Sequence, residues 1–259
     1  MAEAKFEVES APEQAEYAVA QNGEREWAFE TFRRWGYLQA DLDPLGLFRP
    51  HPHPELELSG PAAQEARGYY CGSIGMEFAH ISDPERRRWI EQRMESPAPA
   101  LDQQHILERL IRADLFEQVM QSRYLGSKRF SLEGITVLIP LLDELLEGAA
   151  EHGAEQAVLG MSHRGRLNVI THIVGRAPAE IFANFEDVDP RSVLGGGDVK
   201  YHMGATGEYV TRSGGKVHIH LVSNPSHLEA VDPVTVGRTR AKQDRTGEGG
   251  REKYLPLLV

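Results

Sequence analysis

Short apolar runs alternate with helical segments in the second half of the chain, and this alternation most constrains the fold. Strands are predicted at 157–161 (AVLGM), 216–222 (KVHIHLV) and 253–259 (KYLPLLV). The intervening segments have helical periodicity. Strands that alternate with helices favour a parallel sheet flanked by helices, in which ligands bind beyond the carboxyl ends of the strands. We therefore expect an α/β fold with functional residues just after these runs.

The chain is predicted to contain three regions. Residues 1–26 form an acidic tail with few large apolar side chains, which we expect to be flexible or loosely helical. Residues 27–125 form a mostly helical amino-terminal region, and residues 126–259 form the α/β domain. An α/β domain seldom ends on a buried inner strand without a covering helix. Because the last apolar run looks like such a strand, we expect the chain to be a fragment of a longer protein.

Several features of the helical region are specific enough to predict. Trp27, Phe32 and Trp35 are spaced to share one helix face. The Ser-Asp-Pro run at 82–84 predicts a helix start. A long helix is predicted from Leu101 to about Tyr124. Its apolar stripe consists of Ile106, Leu107, Leu110, Ile111, Leu115 and Val119.

Charge and composition exclude several classes of protein. The net charge of −11 argues against general binding to nucleic acid or to anionic membranes. Cys71 is the single cysteine, so no internal disulfide can form and a reducing compartment is expected. The first residues do not show the basic-then-apolar pattern of a secretion signal, and no apolar stretch approaches about 20 residues. We therefore expect a cytoplasmic protein.

The first predicted strand ends in the sequence GMSHRGRLNV, which places a histidine between the strand and the next helix. His163 lies at the strand end, and Arg164 and Arg166 lie at the helix start, where free backbone N–H groups favour anions. This arrangement predicts a cluster that binds anions and transfers protons. Alternatively, His163 packs in a loop and the arginines pair with surface carboxylates.

Two further segments place polar residues near strand ends. His202 lies in the glycine-rich sequence GGGDVKYHMG, where glycines allow the backbone to approach a ligand. Ser226 follows the second strand in SNPSHLE, and it could instead only cap the next helix. Together with His163, these residues predict one cationic pocket whose imidazoles exchange protons near neutral pH.

A metal site is not predicted. His218 and His220 face the same side of a strand, but zinc needs a third ligand and none has the right spacing. We interpret both as surface histidines. Cys71 is interpreted as a small packed residue without a neighbouring base.

Four motifs, in this order and spacing, resemble the thiamine diphosphate-dependent 2-oxoglutarate dehydrogenase family. They are KRFSLEG, LGMSHRGRLNV, GGGDVKYHMG and NPSHLEAVDPVTVGRTRAKQD. The resemblance covers about Trp27 to Val259. It implies the first thiamine diphosphate-binding domain, truncated, of an oxidoreductase of the tricarboxylic acid cycle. The implied reaction decarboxylates 2-oxoglutarate and passes the succinyl group to the lipoyl arm of an acyltransferase.

The resemblance also implies roles for matched residues. His163 and His202 are implied to be catalytic, Phe130 and Ser226 to bind substrate, and Arg164 to approach the cofactor. The implied cofactors are thiamine diphosphate and Mg²⁺. The implied partners are a lipoyl-bearing succinyltransferase, a dihydrolipoyl dehydrogenase and a second subunit of a homodimer.

The sequence departs from this family in one chemically important way. The family's G-D-[AG]…N motif, which holds Mg²⁺ and the diphosphate, does not occur here, since the Gly197-Asp198 pair is followed by valine. The fragment alone is therefore expected to be inactive. Two alternatives stay open: a related enzyme acting on 2-oxoadipate, since one methylene gives only about 1–3 kcal/mol of discrimination, and a non-catalytic binding module that uses the same half of the fold.

Overall fold

The computed structural model describes residues 11–186, 199–224 and 227–259, which form two compact units that divide between Ala100 and Leu101. This division lies at the proline-rich SPAPA segment, whereas the sequence places a boundary at residues 125–126. The long helix predicted from Leu101 to about Tyr124 therefore belongs to the second unit. The two units are described separately.

The amino-terminal unit is helical. Its helices are α1 (Ala11–Trp35), α2 (Pro61–Tyr70) and α3 (Pro84–Met94). The predicted start of α3 is confirmed, because the Asp83 side chain accepts hydrogen bonds from the backbone N–H groups of Glu85 and Arg86. The buried core contains Phe29, Phe32, Leu56, Ala63, Ala66, Tyr70 and Phe78.

The face of α1 that packs differs from the predicted one. Phe32 is fully buried, but Trp27 is 58% exposed, and Phe29 takes the expected place of Trp27 in the core. A partly buried polar contact joins α1 to the end of α3. The Arg33 Nε donates to Glu95 Oε1 over 2.8 Å, and the Tyr70 hydroxyl donates to the same carboxylate oxygen over 2.6 Å.

The second unit carries the sheet. Its helices are α4 (Gln103–Arg123), α5 (Leu138–Glu151), α6 (Arg166–His172), α7 (Pro178–Glu186), α8 (Leu228–Thr246) and α9 (Gly250–Lys253). Its strands are β1 (Gln156–Gly160), β2 (Ala205–Val210), β3 (Lys216–Leu221) and β4 (Tyr254–Leu258). The strand order is β2-β3-β1-β4.

The expected α/β fold, a sheet flanked by helices after a helical region, is confirmed, and three strands lie where they are predicted. β1 pairs in parallel with β3 and with β4. The sheet is nevertheless mixed, because β2 pairs antiparallel with β3. The glycine-rich sequence at 194–209 predicts a loop, which would include residues 205–209. Instead residues 205–210 form an edge strand that turns back through residues 211–215, where the Thr211 N–H donates to the Gly215 carbonyl over 2.8 Å.

β1 is buried on both faces. Ala157 and Leu159 join the main core, whereas Val158 packs with Val231 of α8 on the other face. This explains why β1 is a continuous apolar run rather than an alternating one. β4 differs from the expected inner strand. It lies at one edge of the described sheet, and Leu258 is 48% exposed.

The apolar stripe of α4 is not its core face. Leu107, Ile111, Leu115 and Val119 are 42–57% exposed, while Ala113, Phe116 and Met120 on the opposite side are buried. The core face also contains the Glu117 carboxylate, which accepts from Arg129 and from the Leu132 N–H. A pattern that counts only apolar residues therefore selects the wrong face. No helix in the described part of the chain is both long and apolar enough to cross a bilayer.

Candidate active site

The carboxyl ends of β1 and β3 lie at the same edge of the sheet because the two strands are parallel. His163 follows β1 after Met161 and Ser162. β2 begins beside the end of β3, with Ala205 opposite Leu221. The 3₁₀ turn Val199–His202, which comes just before β2, is therefore brought to the same edge. This topology places His163 and His202 close together, although they are far apart in sequence.

Four rings form a cluster at this edge of the sheet. The imidazoles of His163 and His202 stack with centroids 4.7 Å apart and an interplanar angle of 24°. Phe130 lies 4.9 Å from the His163 ring and 5.0 Å from the Tyr201 ring. His163 is only 7% exposed and Tyr201 only 1%. The cluster thus combines two proton-exchanging groups with an aromatic wall.

Phe130 is held in the cluster from both sides. Its carbonyl accepts a 3.0 Å hydrogen bond from the Gly165 N–H at the start of α6. The segment around it is attached to α4, since Glu117 accepts from Arg129 and from the Leu132 N–H. The ring of Phe130 also has the Lys128 ammonium 5.2 Å from its centroid. These contacts explain how a loop residue reaches a strand-end site.

Tyr201 was not predicted from the sequence. Burial, as the largest cause, raises the pKa of its phenol to about 12, so the phenol is neutral near pH 7. Its ring centroid lies 5.0 Å from that of Phe130 and 5.9 Å from that of His163. Its position directly before His202 in the sequence is the only signal that could have identified Tyr201.

The two arginines after β1 have different environments. Arg164 is exposed, and its Nη2 donates to the Glu133 carbonyl over 2.6 Å. Arg166 is fully buried, and its guanidinium donates to backbone carbonyls rather than facing solvent. Burial lowers the pKa of Arg166 to about 10, which leaves it protonated at neutral pH. The expectation that Arg166 attracts an anion at the helix start is therefore wrong.

The third predicted element lies partly outside the described residues. Ser226 and the glycine run at 195–197 are among the residues whose placement is not described. The segment before Ser226 does contact the cluster. The Ser223 hydroxyl donates to the His202 carbonyl over 2.8 Å, and the Asn224 N–H donates to it over 3.2 Å. The end of β3 therefore supports His202.

The remaining candidate residues are not members of this ring cluster. Within the described ranges, no group of three or more His, Cys, Asp or Glu residues could hold a metal ion. His218 is exposed, whereas His220 is half-buried, and burial together with Arg238 and Lys242 lowers the pKa of His220. Cys71 is half-buried with Sγ 3.4 Å from the Gly36 carbonyl oxygen, and burial raises the pKa of its thiol.

A cavity of about 340 Å³ lies at the opposite, amino end of the parallel strands. Its charged side chains bind one another. Arg109 donates to both oxygens of Asp143, and Arg212 donates to Glu144 and, through its backbone N–H, to Glu147. Because these charges are already paired, the strand-end cluster is the better candidate site.

Comparison with known proteins identifies relatives. No protein-family model matches the chain. The chain is 42% identical over 252 residues to a Mycolicibacterium vanbaalenii protein named "Multifunctional 2-oxoglutarate metabolism enzyme", which covers 84% of this chain and 20% of that relative. Proteins of the same name from Mycobacterium sp. strains JLS and KMS are 41% identical over 264 residues, covering 88% of this chain and 21% of each relative. The chain thus spans about a fifth of the length of these relatives.

Proposed function

This chain is homologous to one part of the multifunctional 2-oxoglutarate metabolism enzymes, and on this basis we propose that it forms the substrate-facing portion of a 2-oxoglutarate-decarboxylating component. In this proposal the complete enzyme decarboxylates 2-oxoglutarate and transfers the succinyl group to a lipoyl group. The high identity over most of the chain supports a shared substrate class.

The observation that carries the proposal is the stacked pair of His163 and His202 beside Phe130. Imidazole N–H groups bind carboxylate or carbonyl oxygens, and imidazole exchanges protons near neutral pH. Phe130 supplies an apolar wall for the methylene groups of a dicarboxylate. Binding the substrate oxygens and stabilising charge on them are the roles proposed for the two histidines.

The described residues fit the substrate better than they fit the proposed cofactor. When bound, thiamine diphosphate would supply the carbanion chemistry that decarboxylation of a 2-oxo acid needs. A Mg²⁺–diphosphate anchor needs oxygen ligands, but the chain has no G-D-[AG]…N motif, and its described residues include no group of three or more His, Cys, Asp or Glu residues that could hold a metal ion. We therefore propose that the anchor lies in the part of the longer relatives that this chain does not span. The side chain of Arg164 is exposed next to His163 in the sequence, and it remains the proposed contact to the cofactor.

The proposed partners follow from the proposed reaction. Succinyl transfer requires a lipoyl-bearing succinyltransferase, and reoxidation of the lipoyl group requires a dihydrolipoyl dehydrogenase. A homodimer in the cytoplasm is proposed for the complete enzyme. These partners and this location are proposed together with the reaction of the complete enzyme.

The test measures CO₂ release from 2-oxoglutarate and from 2-oxoadipate by the complete enzyme with thiamine diphosphate and Mg²⁺. We expect turnover of 2-oxoglutarate, with a kcat/KM for 2-oxoadipate that is lower by about 10- to 200-fold, the range given by one methylene. Phe130→Ala should reduce kcat/KM for 2-oxoglutarate. If neither 2-oxoglutarate nor 2-oxoadipate is turned over, the proposal is overturned and a non-catalytic binding module is favoured.

A further inference from the structure

Arg166 is a buried cation among uncharged groups. It is the largest fully buried residue among those that the structure describes. Its Nη1 donates to the carbonyls of Met203, over 2.7 Å, and Val222, over 3.0 Å. Its Nη2 donates to the Met161 carbonyl over 2.8 Å and to Asn224 Oδ1. All four of these acceptors are neutral.

These four acceptors belong to three separate segments of the chain. Met161 follows β1 and precedes His163 by two residues. Met203 directly follows His202. Val222 and Asn224 follow β3, and the Asn224 N–H also binds the His202 carbonyl. The single guanidinium therefore joins the two backbone segments that carry the stacked imidazoles to the end of β3.

The backbone of Arg166 adds a further link to the same site. Its N–H donates to the His163 carbonyl over 3.1 Å. His163 is thus held by Arg166 directly through the backbone and indirectly through the Met161 carbonyl. No comparable link joins Arg164 to the cluster among its described contacts, because its guanidinium binds the Glu133 carbonyl.

Burying a charge without a counter-charge is unfavourable, and an apolar side chain of similar length would leave the three carbonyls and Asn224 Oδ1 without these donors. Lysine would preserve the charge, but only the planar guanidinium presents several N–H donors in fixed directions. The residue type therefore matches a requirement for geometry rather than for packing or charge. The geometry it fixes is that of the two imidazoles.

We propose that Arg166 is a positioning residue that holds the His163 and His202 rings in their stacked arrangement by binding three strand-end segments. The structural part of this inference is independent of the reaction. Its catalytic consequence rests on the proposed function. Positioning matters because a displacement of about 1 Å in a site can lower a rate by about 10²-fold.

The test compares crystal structures and kinetics of the complete enzyme with its Arg166→Lys and Asn224→Ala variants. Asn224→Ala removes only one acceptor, so it provides a second measurement if Arg166→Lys does not fold. We expect the centroid distance between the rings to increase from 4.7 Å in both variants. We also expect kcat to fall by about 10²-fold in Arg166→Lys, with a smaller change in KM.

Arg109→Lys is the matched control. Arg109 is also largely buried and binds Asp143 and the His172 carbonyl, but it lies at the opposite end of the sheet. It should lower the melting temperature and leave the ring spacing and kcat unchanged.

Unchanged ring spacing in Arg166→Lys and Asn224→Ala would overturn the inference, as would equal displacement of the rings by Arg109→Lys. If the rings separate while turnover of 2-oxoglutarate is unaffected, the positioning role stands and the proposed function of the histidines fails.

Discussion

The imidazoles of His163 and His202 stack at 4.7 Å although one follows β1 and the other precedes β2. Their proximity depends on two features of the sheet. β1 and β3 are parallel, so their carboxyl ends coincide, and β2 runs antiparallel to β3, so its start lies at that same end. A fully parallel sheet would have separated the start of β2 from the end of β3. The mixed topology is thus what assembles the candidate site.

Replacing either stacked histidine by alanine should lower kcat/KM of the complete enzyme by roughly 10²-fold or more, the usual size of a lost proton donor or charge stabiliser. The two variants should differ in stability. His163 is 7% exposed and contacts three rings, so His163→Ala should cost about 1–3 kcal/mol. His202 is only half-buried, and its replacement should cost less.

His218→Ala is the control, because His218 is an exposed histidine on β3 away from the cluster. It should leave both kcat/KM and the melting temperature nearly unchanged. The paired measurement is decisive. If the His163 and His202 variants both melt lower but keep normal turnover per folded molecule, the histidines are structural and the catalytic assignment is wrong.

The isolated 259-residue chain should not turn over 2-oxoglutarate, even with added thiamine diphosphate and Mg²⁺. The physical reason is that the chain lacks the G-D-[AG]…N motif and its described residues include no metal-binding group. The measurement is CO₂ release by the isolated chain, with the complete enzyme assayed in parallel. Turnover by the chain alone would show that the anchor is unnecessary.

The strands were predictable to the extent that they are buried. β1 is apolar from Ala157 onward because both of its faces are covered, and this signal is visible in the sequence. β2 was missed because it is an edge strand with alternating exposure, and it contains Gly207. A Cβ at Gly207 would lie 1.8 Å from the Val174 carbonyl oxygen, so close packing rather than loop flexibility explains this glycine.

Polar residues in the core were the least predictable part. Glu117 and Arg166 are buried because backbone donors and acceptors from distant segments converge on them. A linear pattern of apolar and polar residues predicts that both lie at the surface. For this reason the sequence analysis chose the wrong core face for α4 and interpreted Arg166 as an anion-binding residue. His163 and His202 could be selected from their positions near strand ends, and Phe130 through the family resemblance, whereas the only sequence signal for Tyr201 is its position next to His202.

Gly165→Ala should destabilise the second unit by about 2–5 kcal/mol. Gly165 has a φ of 72°, which costs a non-glycine residue about 1–2 kcal/mol. An added Cβ would also lie 2.3 Å from Leu132 Cδ1, and overpacking costs about 1–3 kcal/mol more. Because the Gly165 N–H binds the Phe130 carbonyl, the aromatic wall should also shift.

Gly214→Ala separates the two causes. Gly214 has a φ of 87°, but a Cβ added at this position would have no other heavy atom within 4 Å. The variant should therefore show only the conformational cost of about 1–2 kcal/mol. Urea unfolding of both variants measures the difference, and equal losses of stability would contradict the proposed clash with Leu132.

His172 should make the stability of the second unit fall as the pH decreases. Burial, followed by the charges of Arg109 and Arg112, lowers the pKa of His172 to about 4 in the folded chain, from a usual value of 6.5. Below pH 6.5 the unfolded chain binds a proton that the folded chain does not, so protonation favours unfolding. The stability present above pH 6.5 is therefore lost progressively as the pH falls towards about 4.

His172→Gln removes this titrating group, so its free energy of unfolding should depend less steeply on pH across the same window. Carboxylates titrate at the lower end of that range, and the informative quantity is therefore the difference between the variant and the unsubstituted chain at each pH. His218→Gln, at an exposed position, should reproduce the pH dependence of the unsubstituted chain. Urea unfolding midpoints measured from about pH 4 to pH 7 provide this comparison. Parallel curves for His172→Gln and the unsubstituted chain would show that His172 is not held neutral by burial.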